Sequence, residues 1–178
     1  MASRKKPYNE GCWIAVPLAE RGGYGLGVIA RCKSGICLGY FFEPRHSQVP
    51  KLEATQGLAP QQAVLIARFG DMGLLKGEWT ILGHLDDWDR ARWPVPTLQE
   101  QWSGGFRLVE YSGDDPTLNG ISRQYPTTAQ EANKHFSNAL AGHAALSSGL
   151  DRALYEREHG ITRLQAFHSA PVAAKSAR

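Results

Sequence analysis

Six short apolar runs, each closed by a glycine or proline turn, follow one another between Cys12 and Tyr111, and few folds can take such a succession. They are Cys12–Leu18, Tyr24–Cys32, Ile36–Phe42, Ala63–Phe69, Trp79–Gly83 and Phe106–Tyr111. Runs of this length bounded by Gly, Pro, Ser and Asp read as strands. The turns between most of them are too short for the helical crossovers that parallel strands need, so the pairing should be antiparallel. Alternate glycines in Tyr24-Gly25-Leu26-Gly27 mark one strand face that another backbone approaches closely, or a strong bend. Residues 43–60 and 86–102 carry prolines and little periodicity and read as long connections.

After Pro126 the texture turns alanine-rich. Thr127 or Thr128 is placed to cap a short helix with Glu131 in its first turn. A second helix is expected over His143–His159, where Leu146, Leu150, Ala153 and Leu154 share one stripe and Gly160 marks the stop. Asp151, Glu156 and Arg157 fall on its outer side. The fold class is therefore α+β: a strongly bent antiparallel sheet or partly closed barrel of five to seven strands, with C-terminal helices packed on it. A chain of 178 residues with 42% hydrophobic and 21% charged residues suits one globular domain. We place it at 11–168, between disordered tails at 1–10 and 169–178.

No stretch approaches the roughly 20 apolar residues of a spanning helix. Arg4, Lys5 and Lys6 are followed by no apolar run, so the N-terminus does not read as a secretory signal, and the expected location is the cytoplasm. The net charge of +3 is misleading. Five basic residues, Arg4, Lys5, Lys6, Lys175 and Arg178, lie in the two tails, and the span between holds fifteen basic and seventeen acidic residues. That balance argues against nucleic acid as the partner.

Cys12, Cys32 and Cys37 match no zinc spacing. Val28–Cys32 and Ile36–Phe42 form the arms of a hairpin with Ser34-Gly35 at its tip. A two-residue loop then sets Cys32 opposite Cys37 at a non-hydrogen-bonded position. In a reducing cytoplasm both are expected as thiols, although a reversible disulfide is within geometric reach.

Catalytic patterns are absent. His46, His84, His135, His143, His159 and His168 include no pair at i and i+4. No serine sits in a Gly-x-Ser-x-Gly elbow, and no phosphate loop or complete dinucleotide fingerprint occurs. His84 beside Asp86, Asp87 and Asp89 lacks a calcium-loop spacing and reads as a solvated acidic loop that can face a basic partner. No cofactor is expected.

The segment from Trp88 to Trp102 places three tryptophans beside arginines and prolines. That is the composition of a protein-interaction hot spot, and equally of rings that close the edge of a sheet. As partner-binding candidates we single out Asp86, Asp87, Trp88, Asp89, Arg92 and Trp93. A groove lined by the glycine-bearing strands, in a barrel that binds a small ligand or nucleic acid, is the alternative.

Gly11-Cys12-Trp13-Ile14-Ala15-Val16-Pro17-Leu18, then Tyr24–Ile29, Arg68-Phe69-Gly70-Asp71, Gly77–Gly83 and Trp93-Pro94-Val95-Pro96 resemble, in that order and spacing, the immunity 26 family of bacterial polymorphic-toxin systems. The resemblance spans residues 11–111. It implies a β-rich protein that neutralises a cognate protein toxin by binding it inside the producing cell, without catalysis.

Overall fold

A computed structural model describes residues 6–113 and 115–161. Its centre is a hairpin set by a two-residue turn. Ser34 and Gly35 both take positive φ, 51° and 82°, the twist that joins antiparallel strands most directly. The turn pairs Lys33 with Ile36, Cys32 with Cys37 and, further along, Val28 with Tyr40. The hairpin register expected from the sequence is the one found.

Around it lies a six-stranded sheet. Its members are β1 (Cys12–Pro17), β2 (Tyr24–Lys33), β3 (Ile36–His46), β4 (Leu65–Gly70), β5 (Thr80–His84) and β9 (Leu140–Ala141), in the order β5-β1-β2-β3-β4-β9. All pairs are antiparallel except β4 with β9. Register shifts at Trp13/Ile14, Tyr24/Leu26 and Ile29/Arg31 bend the sheet without closing it. A smaller sheet, β6 (Leu98–Trp102), β7 (Gly105–Tyr111) and β8 (Ile121–Thr127), is antiparallel throughout. Short helices α1 (Met72–Leu75) and α2 (Ala129–Ala132) punctuate the connections, and α3 (His143–Glu158) ends the described chain. The α+β class and bent sheet are as expected. The strands exceed the expected count through β6, β8 and β9.

The central strands bury both faces. Cys12, Ile14 and Val16 of β1, Ile29 of β2 and Cys37 and Phe41 of β3 pack under Leu146, Leu150 and Leu154 of α3. Trp13, Leu26, Val28, Leu38, Tyr40 and Phe42 point the other way, into a second core with Trp93 and Leu98. Two-sided burial explains why these strands read as continuous apolar runs instead of alternating. The glycine face offers no groove. A Cβ on Gly25 would lie 2.4 Å from Leu150, and one on Gly27 2.4 Å from Phe41, so the chain's own side chains fill that space.

Helix α3 starts at His143 as the periodicity predicts, and its end is a Schellman cap. Gly160 has φ of 64°, its amide reaches the Arg157 carbonyl, and the Ile161 amide reaches Glu156. One expectation fails on this helix. Asp151 is fully buried, not on the outer side. Its carboxylate accepts the amides of Glu20 and Arg21 at 2.7 and 2.8 Å and pairs with Arg45 at 2.7 Å. Helical spacing alone could not reveal partners more than a hundred residues away. Burial pushes this carboxyl up, but the Arg21 amide and Arg45 outweigh it and hold it below its ordinary value.

The small sheet is fastened by polar contacts. Arg68, only 2% exposed, donates to the carbonyls of Pro116 at 2.7 Å and Asn138 at 2.8 Å. Tyr111 donates to the Asn138 side chain at 2.6 Å, and Lys33 pairs with Asp115 at 2.5 Å. The N-terminal assignment also needs correction within its described part. Tyr8 is 5% exposed and donates to Asp71 at 2.5 Å, while Lys6 pairs with the same carboxylate at 2.7 Å. Residues 6–10 thus pack on the body, because an apolar ring with a polar tip found a buried acceptor. The tail expected at 169–178 lies outside the described residues.

Candidate partner-binding site

The chain leaves β5 through Gly83, in a φ of 126° that favours glycine, and runs over the second core before entering β6. Three attachments fix this connection. Asp89 accepts the Ala91 amide at 3.0 Å, capping a single 3-10 turn at Arg90–Arg92. The Arg90 guanidinium takes both oxygens of Glu10, at 2.5 and 3.1 Å. Tyr40 donates to the Pro94 carbonyl.

The six candidate residues separate into two groups. Trp93 is 5% exposed and sits edge-on to Trp13, Tyr40 and Phe42, with ring centroids 5.3–6.0 Å apart. It is a core residue and cannot serve as an exposed anchor. Trp88 is half-buried and stacks on Trp93 at 5.8 Å, with 16° between the planes. A Cβ on Gly11 would come within 2.8 Å of the Trp88 ring, so that glycine lets the ring lie flat on the strand entrance. Asp86, Asp87, Asp89 and Arg92 are exposed. The sequence placed all six in one loop; the structure makes the tryptophans its floor and the charged residues its surface.

Asp87, Trp88, Arg92 and Trp93 also border a cavity of about 70 Å³ with Trp13, Thr55 and Leu58. That holds a water or two and no larger ligand. The exposed ring of the region is Trp102, 44% exposed at the end of β6, with the Arg107 guanidinium 5.8 Å from its centroid. Its place on the β6–β7 hairpin was missed because Leu98-Gln99-Glu100-Gln101-Trp102 carries too little apolar alternation to read as a strand.

Sequence distance also hid a polar knot beneath the loop. Cys12 Sγ lies 3.0 Å from His84 Nε2, and Asn9 Oδ1 lies 2.5 Å from that same nitrogen and 3.3 Å from the sulfur. Residue types alone would suggest a Cys-His-Asn nucleophile system. In a working system the third group orients the other ring nitrogen, whereas here Asn9 and Cys12 compete for one. Cys12 is 3% exposed, and burial pushes its thiol up, away from the reactive thiolate. The contact pins the N-terminal segment to the end of β5. Among the described residues, no three His, Cys, Asp or Glu side chains converge to hold a metal ion.

A family model described as Immunity protein 26 matches residues 9–107. The chain belongs to this family. No curated protein and no solved structure matches it. In this immunity 26 protein the matched span contains β1 to β6, all six candidate residues and the Cys12–His84–Asn9 knot. It ends inside β7, so α3 and Ala141 of β9 complete the first core, and Tyr111 and Phe136 the second, from outside the match.

Proposed function

We propose that this chain neutralises a cognate bacterial protein toxin by binding it directly, inside the cell that makes both. The observation that carries this reading is membership of the immunity 26 family across the whole of the large sheet except β9. The docking surface is the exit of β5, where exposed Asp86, Asp87, Asp89 and Arg92 stand on the Trp88–Trp93 stack. A rigid floor under charged side chains favours this assignment, since little order must be imposed on the loop when the partner arrives. Three carboxylates on the loop suit a basic patch on the partner, steering its approach and its register. Leu150 and Phe41 fill the glycine face and the sheet does not close, which favours this reading over a barrel that binds along its glycine-bearing strands.

The test is co-expression with the toxin encoded beside this gene, followed by titration calorimetry on the purified pair. Rescue of growth and a stable complex support the reading. A toxin that remains lethal and does not bind overturns it. The surface is tested separately by replacing Asp86, Asp87 and Asp89 together with Asn, which keeps the side-chain cap at position 89. We expect unchanged folding, affinity weakened about tenfold or more, and a shallower salt dependence. Unaltered affinity in the folded variant would move the docking surface elsewhere.

A further inference from the structure

The turn at Ser34-Gly35 leaves Cys32 facing Cys37 across β2 and β3. Non-hydrogen-bonded partners on antiparallel strands have Cα atoms about 4.5 Å apart. A disulfide spans roughly 4.4–6.8 Å between Cα atoms, so this pair can close without moving the backbone.

Their surroundings differ. Cys37 is fully buried in the core under α3, while Cys32 is half-buried at its margin. Cys12 is enclosed and engaged by Asn9 and His84. Of three thiols, one can be reached from solvent, and a second stands directly behind it. That is the arrangement of an attacking cysteine with its resolving partner.

We propose that Cys32 and Cys37 form a thiol–disulfide exchange site that accepts low-molecular-weight disulfides and closes a reversible cross-strand bridge. The Cys32 thiolate attacks one sulfur of the small disulfide, whose S–S bond breaks as its other half departs as a thiolate. The Cys37 sulfur then attacks Cys32 Sγ, and its proton goes to the second departing thiolate. Two protein thiols are oxidised, and one small disulfide is reduced to two thiols.

The polarity of the pair follows from its contacts. The neighbouring Cys37 thiol brings the Cys32 thiol below its ordinary value, against burial and the nearby Glu10, with help from Lys6. Cys37, beside that sulfur and the more buried of the two, is held far above the ordinary thiol range. Cys32 is therefore the sulfur that starts the exchange.

The experiment incubates the full chain in glutathione buffers from fully reduced to fully oxidised, alkylates the remaining thiols, and reads intact mass and peptide maps. Two thiols should disappear together into a Cys32–Cys37 bridge, with Cys12 still alkylated after unfolding, and dithiothreitol should restore all three. Cys37→Ser should accumulate glutathione on Cys32, while Cys32→Ser should take up none on Cys37. Three alkylatable thiols persisting at the oxidised end, a bridge to Cys12, or glutathione on Cys37 in the Cys32→Ser chain would each overturn the proposal. The unsubstituted chain decides between these outcomes even if a variant fails to fold.

Discussion

The large sheet and the small sheet are held together by different physics. In the large sheet, β1, β2 and β3 are covered on both faces, and apolar burial does most of the stabilising. In the small sheet, Leu98, Leu108 and Val109 are buried, while β8 is exposed or half-buried throughout, and attachment rests on Arg68, Asn138 and Tyr111, with the exposed Lys33–Asp115 pair adding little. The family match follows the same division, since it covers nearly all of the large sheet and stops inside β7. A body stabilised by bulk burial tolerates change at its surface. A flap hung on a few buried hydrogen bonds depends on each of them.

The contrast can be broken from the apolar side first. Trp93 touches Trp13, Tyr40, Phe42 and Trp88, so Trp93→Ala should lower stability by about 3–5 kcal/mol in chemical denaturation. A loss under about 1 kcal/mol would mean the second core is not where the structure places it. Asp151→Asn should cost about 3 kcal/mol at neutral pH by leaving Arg45 without its buried partner.

The same variant sharpens the pH dependence. The folded Asp151 carboxyl titrates below the ordinary 3.8, so its contribution is complete above that pH and is lost as pH falls towards the folded value. Asp71, held low by Lys6 and Tyr8 against its burial, acts with the same sign. Urea midpoints measured from about pH 6 down to about pH 2 should fall for the unsubstituted chain, and less steeply for Asp151→Asn.

Arg68→Ala should cost about 2–3 kcal/mol and, unlike the others, act locally. Hydrogen exchange should show protection lost in β6–β8 and retained in β2 and β3. Equal loss in both sheets would show one cooperative unit and erase the difference between them. Lys33→Ala is expected to have the smallest effect, a melting temperature almost unmoved, because that ion pair is exposed to solvent on the lysine side.

The sequence disclosed what local rules determine. Ser34-Gly35 set the hairpin register, the leucine stripe located α3, and Thr128 was one of two proposed caps for α2, where it accepts the Glu131 amide. It concealed what depends on distant partners. β8 carries Pro126 and only Ile121 and Tyr125 as large apolar residues, so nothing in Ile121–Thr127 announces a strand until β7 lies beside it. Trp93 reads equally as an anchor or as core, because tryptophan serves both and only the neighbouring rings decide. The approach of His84 to Cys12 depends on the β1–β5 pairing, across a separation no motif spans.

The seat of Asp151 has a consequence for how the protein is made. Its carboxylate gathers amides from the first turn of the sheet, at Glu20 and Arg21, which leave the ribosome some 130 residues earlier. Until α3 emerges, one face of β1–β3 lacks its leucines and that turn lacks its acceptor. A chain truncated before Leu154 therefore leaves an apolar face of β1–β3 exposed.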